Sequence, residues 1–241
     1  MSDGGRQASA SVAVEGLFYE PGTTGGFRLT VPRFRVDPGE SVAVIGPSGV
    51  GKTTLLNLIA GILKAGDGSI DVGGHRVDRM SDSERRRFRR EEIGFVFQEF
   101  ELLDHLSVRE NILLPFDLGR TETSRVERSE RVERLASETG IRELLGRKPR
   151  RLSQGERQRV ALCRALVTDP KLVLADEPTG NLDPANARTA LGLLRDQAKR
   201  TGATLLVVTH DHSCLDLFDR TFDLGAKNSS EDPVVHGGLD G

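Results

Sequence analysis

Three short runs dominate the hydrophobic pattern of this chain: residues 42–45, 171–175 and 204–208. Each is rich in Val, Leu, Ile or Ala, and apolar and polar positions do not alternate along it. Such uninterrupted runs are typical of strands that are buried on both faces of a parallel sheet. The pattern therefore predicts three central strands.

Between and after these runs, apolar positions recur with the period of a helix. The predicted helices cover residues 53–63, 107–114, 125–138, 153–167 and 185–200. Strands that alternate with helices predict an α/β fold.

The first part of the chain follows a different pattern. Residues 11–36 combine short β-rich pieces with turns at Pro21-Gly22 and Gly25-Gly26 and a break at Pro32, which predicts an N-terminal antiparallel β part. Residues 100–167 contain no convincing strand pattern, so we expect them to form an inserted helical subdomain.

These patterns predict one folded domain over residues 11–225, with a core formed by residues 11–99 and 168–225 around the inserted subdomain. A chain of 241 residues can fold around one core with a smaller lobe appended. Residues 1–10 and 226–241 are rich in small and polar residues, which favours flexible tails.

Composition narrows the possible functions. With 34 Lys and Arg against 36 Asp and Glu, the overall charge gives no reason to expect a nucleic acid as the main partner. The two cysteines, Cys163 and Cys214, lie far apart without metal-ligand spacing, which predicts neither a disulfide framework nor a zinc site and fits a reducing cytoplasm. No run of about 18 apolar residues occurs, so we do not expect the chain itself to cross a membrane.

A glycine-rich stretch follows the first apolar run and opens the first predicted helix. It comprises Gly46, Pro47, Ser48, Gly49, Val50, Gly51, Lys52 and Thr53, with Thr54 next. The letters match the phosphate-loop pattern, and a chance Gly-rich turn would lack the flanking strand and helix that the motif requires. Backbone N–H groups at such a helix start face an anion, Lys52 can reach terminal phosphates and Thr53 can hold Mg²⁺.

The other two apolar runs also end in chemically useful groups. Asp176 and Glu177 follow the second run, and His210 follows the third. Because ligands bind at the carboxyl ends of strands in open α/β sheets, we expect these groups to meet at one edge. Asp176 would bind Mg²⁺ through water, Glu177 would be the general base for an attacking water, and His210 would hydrogen-bond Glu177 and a γ-phosphate. A strand-end histidine taken alone is more often structural.

One more motif precedes the helix predicted at 153–167. Residues 152–158 read Leu-Ser-Gln-Gly-Glu-Arg-Gln, and Ser153 with Glu156 satisfies a helix capping box, which alone would explain a well-capped helix. However, the motif lies shortly before the acidic pair, and Pro-Thr-Gly-Asn-Leu-Asp follows at residues 178–183. With the phosphate loop and Gln98, these motifs resemble the nucleotide-binding subunits of ABC transporters, in the family's order and over nearly the whole chain.

The resemblance implies a P-loop NTPase core of the RecA-like type that binds ATP with Mg²⁺ and hydrolyses ATP. It also implies a head-to-tail homodimer, in which ATP on one chain's phosphate loop is contacted by Ser153 and Gly155 of the second copy. One departure is Gln154, where the family usually has glycine. This difference bears on the geometry around the γ-phosphate.

Further roles follow from the same likeness. Gln98 would contact Mg²⁺ together with Thr53 and Asp176, Asp183 would cross the dimer interface, and Tyr19 would stack on adenine.

Within the family, residues 93–116 and 177–183 look like the lipoprotein-releasing and macrolide-exporting group, and FtsE-like cell-division ATPases are similar here. This likeness implies an integral membrane permease subunit on a separate chain and a peripheral location at the cytoplasmic face of the plasma (inner) membrane. Two alternatives stay open. One is a soluble ABC ATPase acting on nucleic acid or ribosomes, although such proteins usually carry coiled-coil inserts or tandem cassettes, and the other is a cell-division regulator that transports no substrate.

Two surface features also have open interpretations. Five arginines within residues 83–92 could contact anionic lipid headgroups or nucleic acid, although the interspersed glutamates favour a solvated helix face. The apolar residues Phe100, Leu102, Leu103 and Leu106 could belong to the core, or, as the resemblance implies, to a groove for the membrane partner.

Overall fold

The computed structural model describes residues 11–22, 27–118, 123–180 and 182–226. Outside the described residues lie the predicted tails, apart from residue 226, the predicted turn at Gly25-Gly26, and Asn181 of the motif at residues 178–183.

The described strands form two sheets. In chain order they are β1 (Val12–Tyr19), β2 (Leu29–Val36), β3 (Ser41–Ile45), β4 (Asp67–Val72), β5 (His75–Arg76), β6 (Ile93–Val96), β7 (Leu172–Asp176), β8 (Thr204–Val208) and β9 (Arg220–Asp223). One sheet is antiparallel with the order β2-β1-β4-β5, and the other is parallel with the order β6-β7-β8-β3-β9. The expected combination of an antiparallel β part with an α/β core is confirmed.

The described α-helices are α1 (Lys52–Ile59), α2 (Asp82–Glu92), α3 (Val108–Asp117), α4 (Arg125–Glu138), α5 (Gln154–Leu166) and α6 (Pro184–Thr201). Short 3₁₀ turns occur at Val77–Arg79, Arg142–Leu144, Pro149–Arg151 and His212–Leu217. Within the described ranges, no helix combines the length and the apolar character needed to span a membrane.

The three strands predicted from apolar runs are the middle of the parallel sheet, β7-β8-β3. Neighbouring positions face opposite layers: Leu174 packs towards α1 and the antiparallel sheet, whereas Val173 packs towards the helices on the other side. Both faces are therefore covered, which explains the absence of alternation. The three predicted strands are thus the central ones, and two short strands without a sequence prediction, β6 and β9, extend the sheet at its edges.

Pro32 lies inside β2 and does not break it, contrary to the sequence prediction. β2 is the edge strand of the antiparallel sheet, where a residue without an N–H donor is tolerated. On the other side of β1, its pairing with β4 shifts register between Glu15 and Phe18, and Gly16 in this stretch has a φ of 57°. Gly16 lies level with Pro32, because its neighbours Glu15 and Leu17 pair with Arg33 and Val31 of β2.

The helices α3, α4 and α5 all follow β6 and precede β7 in the chain. They pack on one another and share a core with α6 and one face of the parallel sheet, through residues such as Ile112, Val132 and Leu162. The predicted boundary between residues 99 and 100, where the helical subdomain would begin, stays a prediction.

Candidate active site

The phosphate-loop residues form a tight turn between β3 and α1. Gly46, Gly49 and Gly51 have φ angles of 145°, 79° and 108°, which side-chain-bearing residues rarely adopt. A Cβ on Gly51 would lie 3.0 Å from Leu29 Cδ1 and 3.1 Å from the Phe27 ring. The loop thus needs glycine both for its backbone angle and for the close approach of β2.

The positive end of α1 and the Lys52 ammonium point into this turn. Lys52 Nζ donates to the carbonyl oxygens of Gly46 at 2.7 Å and Pro47 at 3.2 Å. The first turn of the helix carries Lys52, Thr53 and Thr54, so no carboxylate of that turn offsets its positive potential. This geometry favours an anion above the loop.

Asp176, the last residue of β7, lies against the start of α1. Thr53 Oγ1 donates to Asp176 Oδ1 at 3.1 Å. Burial raises the pKa of Asp176 above its ordinary value, and the negative charge of Glu177 raises it further. The hydrogen bond from Thr53 and the positive charge of Lys52 lower this pKa, but by less. A desolvated carboxylate beside a hydroxyl is an all-oxygen donor set that fits Mg²⁺, which binds through one or two carboxylates plus phosphate oxygens.

Glu177 has a left-handed backbone with φ of 44°, which is uncommon for a non-glycine residue. Its N–H donates to the Val208 carbonyl at 3.0 Å, so the turn is anchored to β8. The carboxylate then meets His210: Oε2 lies 2.7 Å from the ring Nδ1 and accepts from the His210 N–H at 3.3 Å. The acid and the histidine expected at neighbouring strand ends do lie in contact.

A cavity of about 450 Å³ joins these groups. It is lined by Phe27, Ser48, Gly49, Gly51, Lys52, Thr53, Thr54, Gln98, Glu177, Val208 and His210. Volumes of this order suit a nucleotide-sized ligand. The structure therefore brings together the phosphate loop, the general-base candidate, the histidine and Gln98.

Seven described residues that were expected at the MgATP site do not line this cavity: Tyr19, Gly46, Pro47, Val50, Ser153, Gly155 and Asp176. Tyr19 ends β1 and packs half-buried against the core of the antiparallel sheet. The aromatic side chain in the cavity wall is Phe27, just before β2, which sequence reasoning missed. The one sequence feature that could have indicated Phe27 is its aromatic ring directly after the Gly25-Gly26 pair.

Gly225 is a second missed residue. A Cβ on Gly225 would lie 2.6 Å from Cδ of Pro47, and the Gly225 backbone nitrogen would lie 3.2 Å from a Cβ placed on Gly46. The turn after β9 thus packs directly on the phosphate loop, and only glycine at both positions permits this approach.

The motif at residues 152–158 caps α5. Ser153 is the N-cap and accepts from the Glu156 N–H at 3.3 Å, while Glu156 Oε2 accepts from the Ser153 N–H at 2.7 Å. Ser153 and Gln154 are exposed, so this helix end is open to another molecule. Gln158 is buried and donates through Nε2 to the Pro178 carbonyl at 2.7 Å, which connects α5 to the loop after Glu177.

Comparison with known proteins agrees with this geometry. A family model described as ABC transporter matches residues 29–180. The chain belongs to this ABC transporter family. It is an ABC transporter ATPase subunit with the cassette fold of that family.

Curated relatives of this ABC ATPase include two with informative names. It is 42% identical over 177 residues to the bacitracin export ATP-binding protein BceA of Halalkalibacterium halodurans, covering 73% of this chain and 69% of that protein. It is 40% identical over 202 residues to the lipoprotein-releasing system ATP-binding protein LolD of Psychrobacter arcticus, covering 84% and 89%.

Among solved structures, the dimeric bacterial ABC transporter cassette MJ0796 superposes with a TM-score of 0.78 at 32% identity, covering 89% of this chain and 94% of that one. The same cassette has been solved as a dimer in a post-hydrolysis state with ADP and Pi, with a TM-score of 0.77 at the same identity and coverage. This agrees with ATP hydrolysis by the present chain.

Proposed function

We propose that this ABC ATPase energises an export or mechanotransmission complex whose membrane-spanning permease is a separate chain. The observation that carries the proposal is a pair of separate recessed surfaces among the described residues. One is the cavity over the phosphate loop, and the other is an apolar groove bordered by arginines. The first suits ATP and the second suits a protein segment.

In the first surface, Lys52 would exchange its bonds to the Gly46 and Pro47 carbonyls for bonds to the terminal phosphates of ATP. Asp176, Thr53 and Gln98 would hold Mg²⁺, which supplies charge neutralisation at the phosphates when bound. A Cβ placed on Gly180 would lie 4.0 Å from Gln98 Nε2, so this amide faces the loop that follows Glu177.

Glu177 would accept the proton of the attacking water. Its left-handed backbone and its contact with the His210 ring hold the carboxylate at the edge of the cavity. His210 keeps Glu177 oriented and offers its other ring nitrogen towards the γ-phosphate. The dyad therefore combines a proton acceptor with a group that fixes its direction.

A second copy of the chain would complete the site. Ser153 and Gly155 lie at the exposed start of α5 and outside this chain's own cavity. A helix N-terminus binds anions, so the α5 start of one copy suits the γ-phosphate held by the other. The dimeric state of the structurally similar cassette supports an ATP-sandwich homodimer here.

The second surface is a groove of about 540 Å³ between α2, β6, α3 and α5. Its apolar lining includes Phe95, Phe97, Leu114 and Leu118, and Leu118 is 66% exposed. Phe100, expected near such a groove, is buried instead, whereas Leu103 is partly exposed but lies outside the groove wall. An apolar patch of this kind is typical of a protein interaction site.

We infer an exporter or mechanotransmission role because relatives named for bacitracin export and lipoprotein release match over most of this chain. The permease as occupant of the groove would place the chain at the cytoplasmic face of the inner membrane. The alternative of a soluble or cell-division ATPase that transports no substrate uses the same site and differs only in the partner.

The test is to capture tagged Glu177→Gln protein with Mg²⁺ and ATP from gently solubilised membranes of its own host and to identify co-purifying proteins by mass spectrometry. We expect the variant to bind ATP and to lose turnover about 10²–10⁴-fold, the usual contribution of a general base. We also expect a stoichiometric membrane protein. Recovery of soluble or ribosomal partners alone would contradict the transport role.

A matched pair of variants tests the groove in the same capture. Leu118→Glu places a charge on the groove wall, and Val126→Glu places one at an equally exposed apolar site on α4, where Val126 is 68% exposed. Only Leu118→Glu should lose the membrane partner. Equal recovery with both variants would argue against the groove.

A further inference from the structure

A buried arginine of α5 holds the loop that follows Gln98. Arg164 is 8% exposed, and its two terminal nitrogens donate to two consecutive carbonyls: Nη2 to Phe100 at 2.6 Å and Nη1 to Glu101 at 2.5 Å. Among the ion pairs of the described residues, none involves Arg164. The guanidinium is therefore used to bind backbone, and its fork geometry suits two neighbouring acceptors.

The two residues that Arg164 binds are strained. Phe100 and Glu101 have φ angles of 61° and 47°, in the left-handed region that non-glycine residues seldom occupy. Such conformations persist only where surrounding contacts enforce them. Two hydrogen bonds from one buried cation are a contact of this kind.

The strained pair closes the turn that carries Gln98. Phe100 N–H donates to the Phe97 carbonyl at 3.1 Å, and Glu101 N–H donates to the Glu99 carbonyl at 2.7 Å. Gln98 is the second residue of the turn that the first of these bonds closes. The position of its side chain in the nucleotide cavity thus depends on the backbone at Phe100.

The same helix holds the other side of the cavity. Gln158, less than two turns before Arg164 on α5, donates to the Pro178 carbonyl beside Glu177. One helix, which starts at the exposed Ser153, therefore contacts both loops that carry Gln98 and Glu177. Arg164 also lines the groove proposed for the permease, as do Glu101 and Phe97.

We propose that Arg164 is a positioning residue for ATP hydrolysis, which fixes Gln98 by clamping the left-handed residues behind it. The proposal rests on the assignment of Gln98 to the Mg²⁺–ATP site. A partner segment bound in the groove would contact Arg164 directly. Binding of the partner could then change the positions of the loops that carry Gln98 and Glu177.

The experiment uses Arg164→Lys in the full chain, since an ammonium keeps the charge but cannot match the two-acceptor fork. We expect kcat to fall about tenfold or more, because small displacements of catalytic groups have effects of this size, and the Mg²⁺ requirement to rise. Binding of Mg²⁺-free ATP should stay nearly unchanged. Hydrogen exchange should increase in a peptide covering residues 97–103.

Two further variants separate positioning from general stability. Arg220→Lys alters another poorly exposed arginine, which donates to the Arg35 carbonyl and pairs with Glu40 at 2.8 Å. Its strand, β9, is at the opposite edge of the parallel sheet from β6, which precedes Gln98. This variant should lower the melting temperature without the specific loss of kcat. Adding Glu101→Gly to Arg164→Lys should recover part of kcat, because glycine adopts the left-handed angle without a clamp.

The possible failures can be told apart. Unchanged hydrogen exchange of residues 97–103 in Arg164→Lys would contradict the positioning role of Arg164. The role would also be contradicted if kcat and ATP affinity fell in parallel with the melting temperature and Glu101→Gly did not restore kcat. If Gln98→Ala turns over normally, the assignment of Gln98 fails, and the positioning role fails with it.

Discussion

Asp176 and Glu177 are adjacent carboxylates to which the fold gives different surroundings. Asp176 is buried at the end of β7 and accepts from Thr53, and burial raises its pKa. Glu177 is turned away by its left-handed backbone and meets His210. Such separated environments allow two acids to take different roles, one facing a cation and the other facing water.

The raised pKa of Asp176 predicts a pH-dependent effect of Asp176→Asn. Ionising this carboxylate costs more in the folded than in the unfolded chain, so its contribution to stability is greatest below its ordinary pKa of 3.8 and declines as the pH rises through the raised value. Without nucleotide, the variant should melt above the wild type at pH 7, by a small margin that shrinks towards pH 4. Thermal melts across this range measure the difference.

Adding Mg²⁺ and ATP should reverse the order. Ligands that bind only the folded state raise its melting temperature, and the wild type alone keeps the carboxylate for the metal. Asp176→Asn should gain little and should hydrolyse almost no ATP. A variant that melts with the wild type at pH 7 without ligand would count against a desolvated carboxylate.

Among the elements, α5 shares its type of N-terminal cap with two other helices. α2, α3 and α5 each begin with a Ser/Glu capping box: Ser81 with Glu84, Ser107 with Glu110, and Ser153 with Glu156. In all three boxes the serine's hydrogen bonds to the glutamate lower the pKa of the carboxyl. The local chemistry is the same at the three helix starts. In the proposed homodimer, the box of α5 would lie at the ATP of the second copy.

This similarity supplies a controlled test of the α5 start. Glu84→Ala and Glu156→Ala each remove a box, so both should lower the melting temperature slightly, and the difference from wild type should vanish below the lowered pKa of the glutamate. Only Glu156→Ala should also lower the rate of ATP hydrolysis severalfold, because the backbone at Ser153 loses its fixed direction. Equal rates in both variants would show that the box at Ser153 is structural alone.

At this scale the sequence predicted elements well where one pattern dominates. α4 agrees at both ends, and β3, β7 and β8 follow the apolar runs. It failed where a tertiary position overrides a local signal: Pro32 is accepted because β2 is an edge, and β6 and β9 are strands because neighbours offer backbone partners. The β-propensity of a segment does not show whether its strand is at an edge or which neighbouring strands it can pair with.

For the whole molecule, the rule that ligands bind at the carboxyl ends of parallel strands is enough to predict that the phosphate loop, Glu177 and His210 lie together. The rule could not place Phe27 or Gly225, because each reaches the cavity or its loop through packing between distant segments. The clamp of Arg164 on Phe100 is of the same kind, since it joins residues 64 positions apart. Apart from the aromatic character of Phe27, these contacts between distant segments leave no local signal in the sequence.

The homodimer proposal makes a prediction for mixed dimers. Lys52→Ala removes the phosphate ligand of its own chain, and Ser153→Arg blocks the contact that a chain makes with its partner's ATP, so each variant alone should be inactive. In a mixed dimer one site loses both groups and the other keeps both. After subunit exchange in an equal mixture, ATPase activity should recover to about one quarter of the wild type, because half of the dimers are mixed and each has one intact site.

A control mixture shows whether the recovered activity comes from intact sites in mixed dimers or merely from mixing two variants. Lys52→Ala mixed with the double variant Lys52→Ala, Ser153→Arg leaves no intact site in any dimer, so this mixture should stay inactive. Light scattering with ATP shows whether dimers form at all in each mixture. If the mixture of the two single variants also stays inactive while ATP-dependent dimers are present, the two copies do not share their sites in the head-to-tail manner, because that arrangement requires one intact site in every mixed dimer.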